Sequence, residues 1–135
     1  MINDDLKLKG KLAIAINGEV VQEVDNLVVT AGKGYVASRM KDATATAMSH
    51  MAIGSGSTAA AASDTALGNE LGRVSLTSTN VSAAVVTYVA TFGAGTGTGA
   101  VTEAALLNAS SSGTMLCRTV FSVVNKGSAD SMTIT

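Results

Sequence analysis

The chain has 135 residues, of which 47% are apolar, 3% aromatic and 14% charged, and its formal net charge is −1. This length suits one domain around one core, here residues 1–135. A balanced, sparse charge excludes an extended basic surface, so no nucleic-acid partner is expected. The mean hydropathy of +0.36 is not concentrated in any run near the roughly 18 apolar residues of a membrane helix, so no membrane partner is expected either.

The chain contains one cysteine, Cys117, which excludes an internal disulfide framework and any multi-cysteine metal site. Its first residues, MINDDLKLKGK, are acidic where a secretory leader is basic and then apolar. We therefore expect a protein made in the reducing cytoplasm. Its weakly charged surface, rich in Ala, Gly, Ser and Thr, favours burial against other chains, and a homo-oligomer is expected.

The clearest local signal is Asn17-Gly18, which separates two apolar runs at 12–16 and 20–24. Asn-Gly is typical of the type I′ turn, whose two central residues need positive φ. The sequence predicts a β-hairpin here, in which Ile16 pairs with Glu19 and Ile14 with Val21.

Further elements of the first half are a helix, a strand and a loop. Thr30 is predicted to cap a short helix in which Val36 and Met40 share a face, although glycines 32 and 34 lower its helix propensity. A strand over 48–53 runs into a glycine-serine loop. Ser63-Asp64 is then predicted to cap one helical turn that ends at Leu67.

The second half alternates in the manner of β-strands. Strands are predicted at 73–78, 81–92, 114–124 and 131–135, with turns at Thr79-Asn80 and at 125–128. Residues 101–108 suit a strand or a helical turn. The glycine loop at 93–99 is predicted to be mobile or to be ordered only by contact with another chain. This pattern predicts a mainly β fold, an antiparallel β-sandwich or flattened barrel with one or two short helices. The last strand is expected to pair within the sheet or with a neighbouring subunit.

No motif points to an enzyme. Residues 54–59 fit the shape G-x-G-x-x-A, but no long helix follows them, as a dinucleotide-binding unit requires. His50 is the only histidine, and no nucleophile elbow surrounds any serine. Cys117 lies in an apolar strand and is expected to be a buried, inert thiol. We therefore predict no catalytic residue, no cofactor and no metal.

A longer pattern begins at Met51–Arg73, MAIGSGSTAAAASDTALGNELGR. It continues with TEAALLN at 102–108, GTMLCRTVF at 113–121, Asn125-Lys126 and DSMTIT at 130–135. Over residues 28–135 the chain resembles a family of small structural proteins of tailed-bacteriophage virions.

The resemblance implies a non-enzymatic virion component assembled in the host bacterial cytoplasm. Its most concrete form is a capsid decoration, or cement, protein that bridges major capsid subunits. A tail, neck or fibre-base protein is the alternative, with tail proteins as partners. A small carbohydrate- or receptor-binding β-module is a second alternative, although the chain has only two Tyr, two Phe and no Trp to form sugar platforms.

Two of the arginines, Arg73 and Arg118, lie at or in predicted strands of a weakly charged chain and need charged partners there. Arg73 and Arg118 are predicted to form buried or interfacial ion pairs, with Glu70 and Glu103 as the candidate carboxylates. Two loops are the candidate contacts with neighbouring subunits. Their residues are Gly54, Ser55, Gly56, Ser57, Thr58, Gly93, Gly95, Gly97 and Gly99.

Overall fold

Nine strands and one helix make up the part of the chain that the structure, a computed structural model, describes: residues 7–41 and 45–135. Every strand pairing is antiparallel. In chain order the elements are β1 (Gly10–Ile16), β2 (Glu19–Val28), α1 (Thr30–Lys41), β3 (His50–Gly54), β4 (Glu70–Ser75), β5 (Ser78–Ser82), β6 (Val85–Phe92), β7 (Gly99–Leu107), β8 (Met115–Lys126) and β9 (Met132–Ile134).

The strands form one sheet, in the order β4-β3-β7-β8-β2-β1-β9-β6-β5, which curls into a half-barrel. Strand β4 leads into β5 through only Leu76 and Thr77. Leu76 donates its N–H to Ser49 at 2.9 Å, and Thr77 donates to Val89 at 2.7 Å. One stretch of chain thus supplies both ends of the sheet and holds them near each other. The predicted mainly β, antiparallel fold is confirmed, with one short helix.

The β1–β2 hairpin turns at Asn17 (φ 49°) and Gly18 (φ 85°), as a type I′ turn requires. Ile16 pairs with Glu19 as predicted, but the next predicted pair is wrong, because Ile14 lies opposite Gln22. A β-bulge adds one residue to β2 between these pairs. The shift turns the acidic residues 23 and 25 outward, whereas the predicted register would face them into the core.

The main core fills the inside of the half-barrel. Its largest wholly buried apolar side chains are Phe92, Ile14, Ile53, Met132, Ile134 and Val101. A smaller cluster covers the other face of β3, β7 and β8, and consists of Val29, Ala52, Ala105, Leu107 and Met115 with Ala31 and Leu67 against it. Because successive residues of a strand point to opposite faces, β7 contributes Ala104 and Leu106 to the inside and its odd-numbered neighbours to the outside.

Helix α1 begins at Thr30, whose N–H donates to the carbonyl of Ala62 at 2.8 Å. Gly32 is the buried residue of this helix, because it lies directly against the carbonyl oxygen of Leu116. Gly34 faces open space. Within the described part of the chain, no helix has the length and apolar character to cross a membrane.

Two local predictions are wrong. Ser63-Asp64 starts no helix, since residues 61–64 form a turn in which Asp64 donates its N–H to Ala61 at 3.0 Å. The predicted turn at Thr79-Asn80 lies within β5, and the chain reverses at Ala83 (φ 52°) and Ala84 instead. The valines on both sides of the reversal then pair across the hairpin, and a single strand over 81–92 would not allow this.

The strand pairing decides two predictions for which the sequence leaves alternatives. Residues 101–108 belong largely to strand β7, not to a helical turn. The last strand, β9, pairs within the chain, with β1 on one side and β6 on the other. It lies inside the sheet, and its Met132 and Ile134 are core residues.

The two helix glycines make a matched test of this packing. Gly32→Ala is expected to lower the free energy of unfolding by about 1–3 kcal/mol, because the new methyl group overlaps the Leu116 carbonyl. Gly34→Ala is expected to raise it by about 0.5–1 kcal/mol, because alanine favours helix and nothing lies in the way. Urea denaturation of both variants measures this, and equal effects would contradict the close contact.

Candidate functional site

The carboxylate of Glu103, on β7, is the centre of the largest polar network of the sheet. Its side chain is 0% exposed and lies on the outer face of the half-barrel. Oε1 accepts hydrogen bonds from the backbone N–H groups of Gly56 at 2.9 Å and Asn69 at 2.8 Å. Oε2 accepts from the N–H of Gly68 at 2.9 Å and from the Arg118 guanidinium. The buried charge is therefore fully solvated by protein groups.

Arg118, on the neighbouring strand β8, completes the network and is 3% exposed. Its Nε and Nη2 donate to Glu103 Oε2 at 3.1 and 2.8 Å. Nη1 forms an ion pair with Asp64 at 2.9 Å, and Nη2 also donates to the carbonyl of Thr58 at 3.0 Å. One guanidinium thus joins the sheet to two points of the 55–69 segment.

Burial and hydrogen bonding oppose each other in this network. Burial raises the pKa of Glu103, but the N–H groups of Asn69, Gly68 and Gly56 together with Arg118 outweigh it and hold the pKa below its usual 4.5. The N–H of Ala61, and then Arg118, lower the pKa of Asp64 below 3.8. Burial lowers the pKa of Arg118, while Glu103 and Asp64 raise it by a larger amount. All three groups are charged at neutral pH.

The glycines of the first candidate loop make room for this carboxylate. A Cβ at Gly56 would lie 2.6 Å from Glu103 Oε1, and one at Gly54 would overlap the carbonyl of Asn69. The glycine pair therefore allows backbone N–H groups to approach the acid closely, the role that such glycines play around phosphate. Here the anion belongs to the protein itself.

The second candidate loop, 93–99, is held by contacts within its own chain. Lys126, which is 1% exposed, donates from Nζ to the carbonyl of Gly93 at 2.8 Å. Gly95 donates its N–H to Ser128 at 2.8 Å. Gly97 (φ 67°) is buried so closely against Ile53 that a Cβ there would lie 2.5 Å from Ile53 Cδ1. The structure thus orders a loop that was predicted to be mobile or ordered only by another chain.

These contacts bring the two candidate loops to one end of the sheet. β3 ends at Gly54, where the first loop begins, and the second loop packs on the preceding residue, Ile53, through Gly97. Ser57, Thr58, Gly93 and Gly95 are exposed there, whereas Gly54 and Gly97 are buried and Ser55, Gly56 and Gly99 lie between. We call the exposed part, residues 57–59 and 93–95, the loop surface. It contains no charged residue.

The other predicted pair lies on β4 and reaches the turn that follows β7. Arg73 donates to Glu70 from Nη2 at 2.7 Å and from Nε at 3.2 Å, in a bidentate pair between two residues of β4. Its Nη1 also donates to the carbonyls of Ala109 and Ser112, both at 2.9 Å. The Glu70 side chain is 38% exposed and that of Arg73 is 10% exposed, so this pair is partly screened by water and stabilises less than the buried pair.

The single histidine contacts two hydroxyls, and the single cysteine is buried. His50 lies between two hydroxyls, with Ser49 Oγ 2.7 Å from Nδ1 and Ser75 Oγ 3.4 Å from Nε2. Burial raises the pKa of Cys117 to about 11, so its thiol is protonated at neutral pH. Among residues 7–41 and 45–135, no group of three or more His, Cys, Asp or Glu side chains is placed to hold a metal ion.

Comparisons with known proteins give no relative from which the function of this site follows. No protein family, curated protein or solved structure matches the chain. The function must therefore be argued from the residues and their arrangement.

A second feature of the fold is a cavity of about 890 Å³ in the hollow of the half-barrel. Its lining is mostly apolar and includes Leu12, Val28, Met51, Leu106, Ile134 and both tyrosines, Tyr35 from α1 and Tyr88 from β6. Burial, and then the nearness of Tyr35 and Cys117, raise the pKa of Tyr88. The two tyrosines of the chain thus share one concave surface.

Sequence reasoning missed two functional contacts. Asp64 was placed at a helix start, although it is the second acid on Arg118. Lys126 was placed in a turn, although it ends β8 and is buried beneath the 93–99 loop. Neither role has a local signal, because each depends on a loop from a distant part of the chain.

Removing the central charge tests the network. Glu103→Gln is expected to lower the free energy of unfolding by about 3–5 kcal/mol, because Arg118 stays charged and buried while the new amide N–H₂ opposes two other donors. Glu70→Gln is the matched control. It is expected to cost about 1 kcal/mol, because the Glu70 side chain is partly exposed and Arg73 keeps its bonds to the carbonyls of Ala109 and Ser112. Urea denaturation at neutral pH compares them.

The pH dependence of the free energy of unfolding gives a second test of the network. Because the folded-state pKa values of Glu103 and Asp64 are depressed, their stabilisation is complete above the ordinary values of 4.5 and 3.8 and is lost as the pH falls below them. The Glu103→Gln protein should lose less stability between neutral and acidic pH than the wild type. Parallel pH curves for the two proteins would exclude a depressed pKa at Glu103.

Proposed function

We propose that this protein is a structural component of a bacteriophage virion, assembled in the host bacterial cytoplasm, and most concretely a capsid decoration protein. The loop surface is the observation that carries the proposal. It is uncharged, composed of small residues and fixed by buried ionic contacts from behind. Such a surface suits contact with another protein and lacks the acid, base or nucleophile that turnover requires.

Rigidity is what makes the loop surface useful for binding. A flexible glycine-rich loop loses conformational entropy when a partner orders it. Here Arg118 holds Thr58, and Lys126 holds Gly93, before any partner arrives. Each copy can then contribute a modest contact, and many copies on a symmetric shell add up to strong attachment.

The residues of the phage-protein pattern support the same proposal. The five charged residues of the pattern from 64 to 118 all form ion pairs. Asp64, Glu103 and Arg118 hold the 55–69 segment, and Glu70 pairs with Arg73 on β4. The pattern therefore includes three residues that hold the loop surface. The resemblance rests on more than shared small-residue composition.

The same surface suits two places in a particle. A decoration protein would bridge major capsid subunits and be present in hundreds of copies. A tail, neck or fibre-base protein would be present as a small multiple of three, five or six. We favour the capsid because a small, uncharged contact gains most from many repeats.

Sedimentation with phage particles tests the proposal. The purified chain is mixed with emptied capsids, tailless heads or isolated tails of the phage that encodes it. We expect it to sediment with capsids and heads. Sedimentation with tails alone would favour the tail alternative over decoration, and a chain that stays in the supernatant with all three would contradict a virion role.

A matched pair of variants locates the contact. Ser57→Arg places a long cation in the middle of the loop surface and is expected to weaken capsid binding at least ~10-fold, because the charge would be buried without a partner. Ser110→Arg makes the same change in the exposed turn at the other end of β7 and should bind normally. Equal binding by both variants would remove the loop surface from the interface.

A carbohydrate- or receptor-binding module is the second candidate, because the structure brings Tyr35 and Tyr88 into one cavity. Aromatic side chains are the usual platforms for sugar rings, and the cavity has the volume of a small ligand site. Its lining is mostly apolar but includes charged and polar side chains that bind hydroxyls, among them Glu23, Asp25, Asn26 and Thr119. We rank this candidate second because only two aromatic side chains line the cavity.

A glycan array separates this candidate from the first. The wild-type chain is not expected to bind any glycan. Binding that is lost in both Tyr35→Ala and Tyr88→Ala, but retained in Glu70→Gln, would establish the module in place of the virion role.

A further inference from the structure

The outer edge of the sheet at β5 is unprotected. β5 is the last strand of the sheet and pairs with β6 along its other side. All five of its residues are exposed, and its register contains no bulge. Edge strands normally avoid pairing with other chains by means of charges, prolines or bulges. The sequence Ser78-Thr79-Asn80-Val81-Ser82 has none of these.

Charge is absent well beyond the edge strand. Residues 74–102, which include β5, β6 and the loop after them, contain no Asp, Glu, Lys, Arg or His. Two copies can therefore bring this region together without like-charge repulsion, which usually prevents a surface from meeting itself.

The order of residues in β5 is nearly self-complementary. In an antiparallel pair of two β5 strands centred on Asn80, Ser78 would face Ser82 of the second copy. Thr79 would face Val81 of the second copy, and the two Asn80 amides would meet on the two-fold axis. β-branched pairs such as Thr–Val are favourable across antiparallel strands, and facing amides can hydrogen-bond to each other.

The apolar side chains of the hairpin lie where such a pair would cover them. Val81 is 67% exposed and pairs with Val86 across the hairpin, and Thr79 pairs with Tyr88 in the same way. These four residues line a cleft of about 370 Å³ beside α1. A second β5 would place its own Thr79 and Val81 next to this row, which would extend the apolar stripe from one copy into the other.

We propose that two copies of this chain pair through their β5 edges, antiparallel and centred on Asn80, to form one sheet that is continuous across the dimer. Alternate residues of β5 direct their backbone N–H and C=O groups away from β6, so the ladder continues without rearrangement. This dimer extends the proposed function. The place of the dimer in a virion rests on that function. Residues 93–95 of the loop surface follow β6, beyond the residues of β6 that pair with β5.

Analytical ultracentrifugation of the full chain, from micromolar to millimolar concentration, measures the dimer, and a charge pair tests its register. Thr79→Lys with Val81→Lys sets lysine opposite lysine twice and is expected to weaken dimerisation at least ~10-fold at low salt. Thr79→Lys with Val81→Glu changes the same two exposed positions but sets lysine opposite glutamate. That variant is expected to dimerise as well as the wild type.

Each outcome decides the inference. A wild type that stays monomeric, a Lys/Lys variant that dimerises like the wild type, or a Lys/Glu variant that is as weak as Lys/Lys would each overturn the β5 pairing. Circular dichroism and thermal unfolding of both variants show that the hairpin is folded. A monomeric chain that sediments with capsids would contradict only the dimer, whereas a dimer that binds no particle would contradict only the virion role.

Discussion

The ion pair between Glu103 and Arg118 is the constraint on which the outer face of the sheet depends. A carboxylate and a guanidinium withdrawn from water lose several kcal/mol of hydration each, which their mutual attraction alone does not recover reliably. The recovery here comes from the 55–69 segment, whose backbone N–H and C=O groups complete the solvation of both ions. The segment has little regular structure of its own, so the charges and the loop hold each other in place.

This arrangement explains a composition that is unusual for a folded domain. With few aromatic side chains, the core is built from aliphatic residues and methionine, which bury less area each. The rare charged residues are used where they hold irregular backbone, at Asp64, Glu103, Arg118 and Lys126. The loop surface that these contacts hold is small and uncharged, which is suitable for contact with protein.

The sequence predicts the parts of the fold that depend on near neighbours. Asn17-Gly18 identifies the first hairpin, alternation identifies most strands, and the scarcity of charge directs attention to Arg118 and Glu103 as partners. The sequence does not predict the bulge in β2, because the bulge depends on the direction in which Glu23 and Asp25 must point once the sheet has curled. The reversal at Ala83-Ala84 is missed for a related reason, because alanine carries no turn signal and Thr79-Asn80 carries a misleading one. Asp64 and Lys126 depend on loops that only the folded sheet brings near.

The direct passage of β4 into β5 has a mechanical consequence. Residues 70–82 cross the opening of the half-barrel, paired to β3 over their first half and to β6 over their second. Tension along this segment loads both sets of hydrogen bonds in shear, parallel to the strands. In this direction all the hydrogen bonds of a strand pair share the force. Residues 70–82 thus span the opening of the half-barrel, and a force applied to either edge of the sheet is transmitted to the other edge.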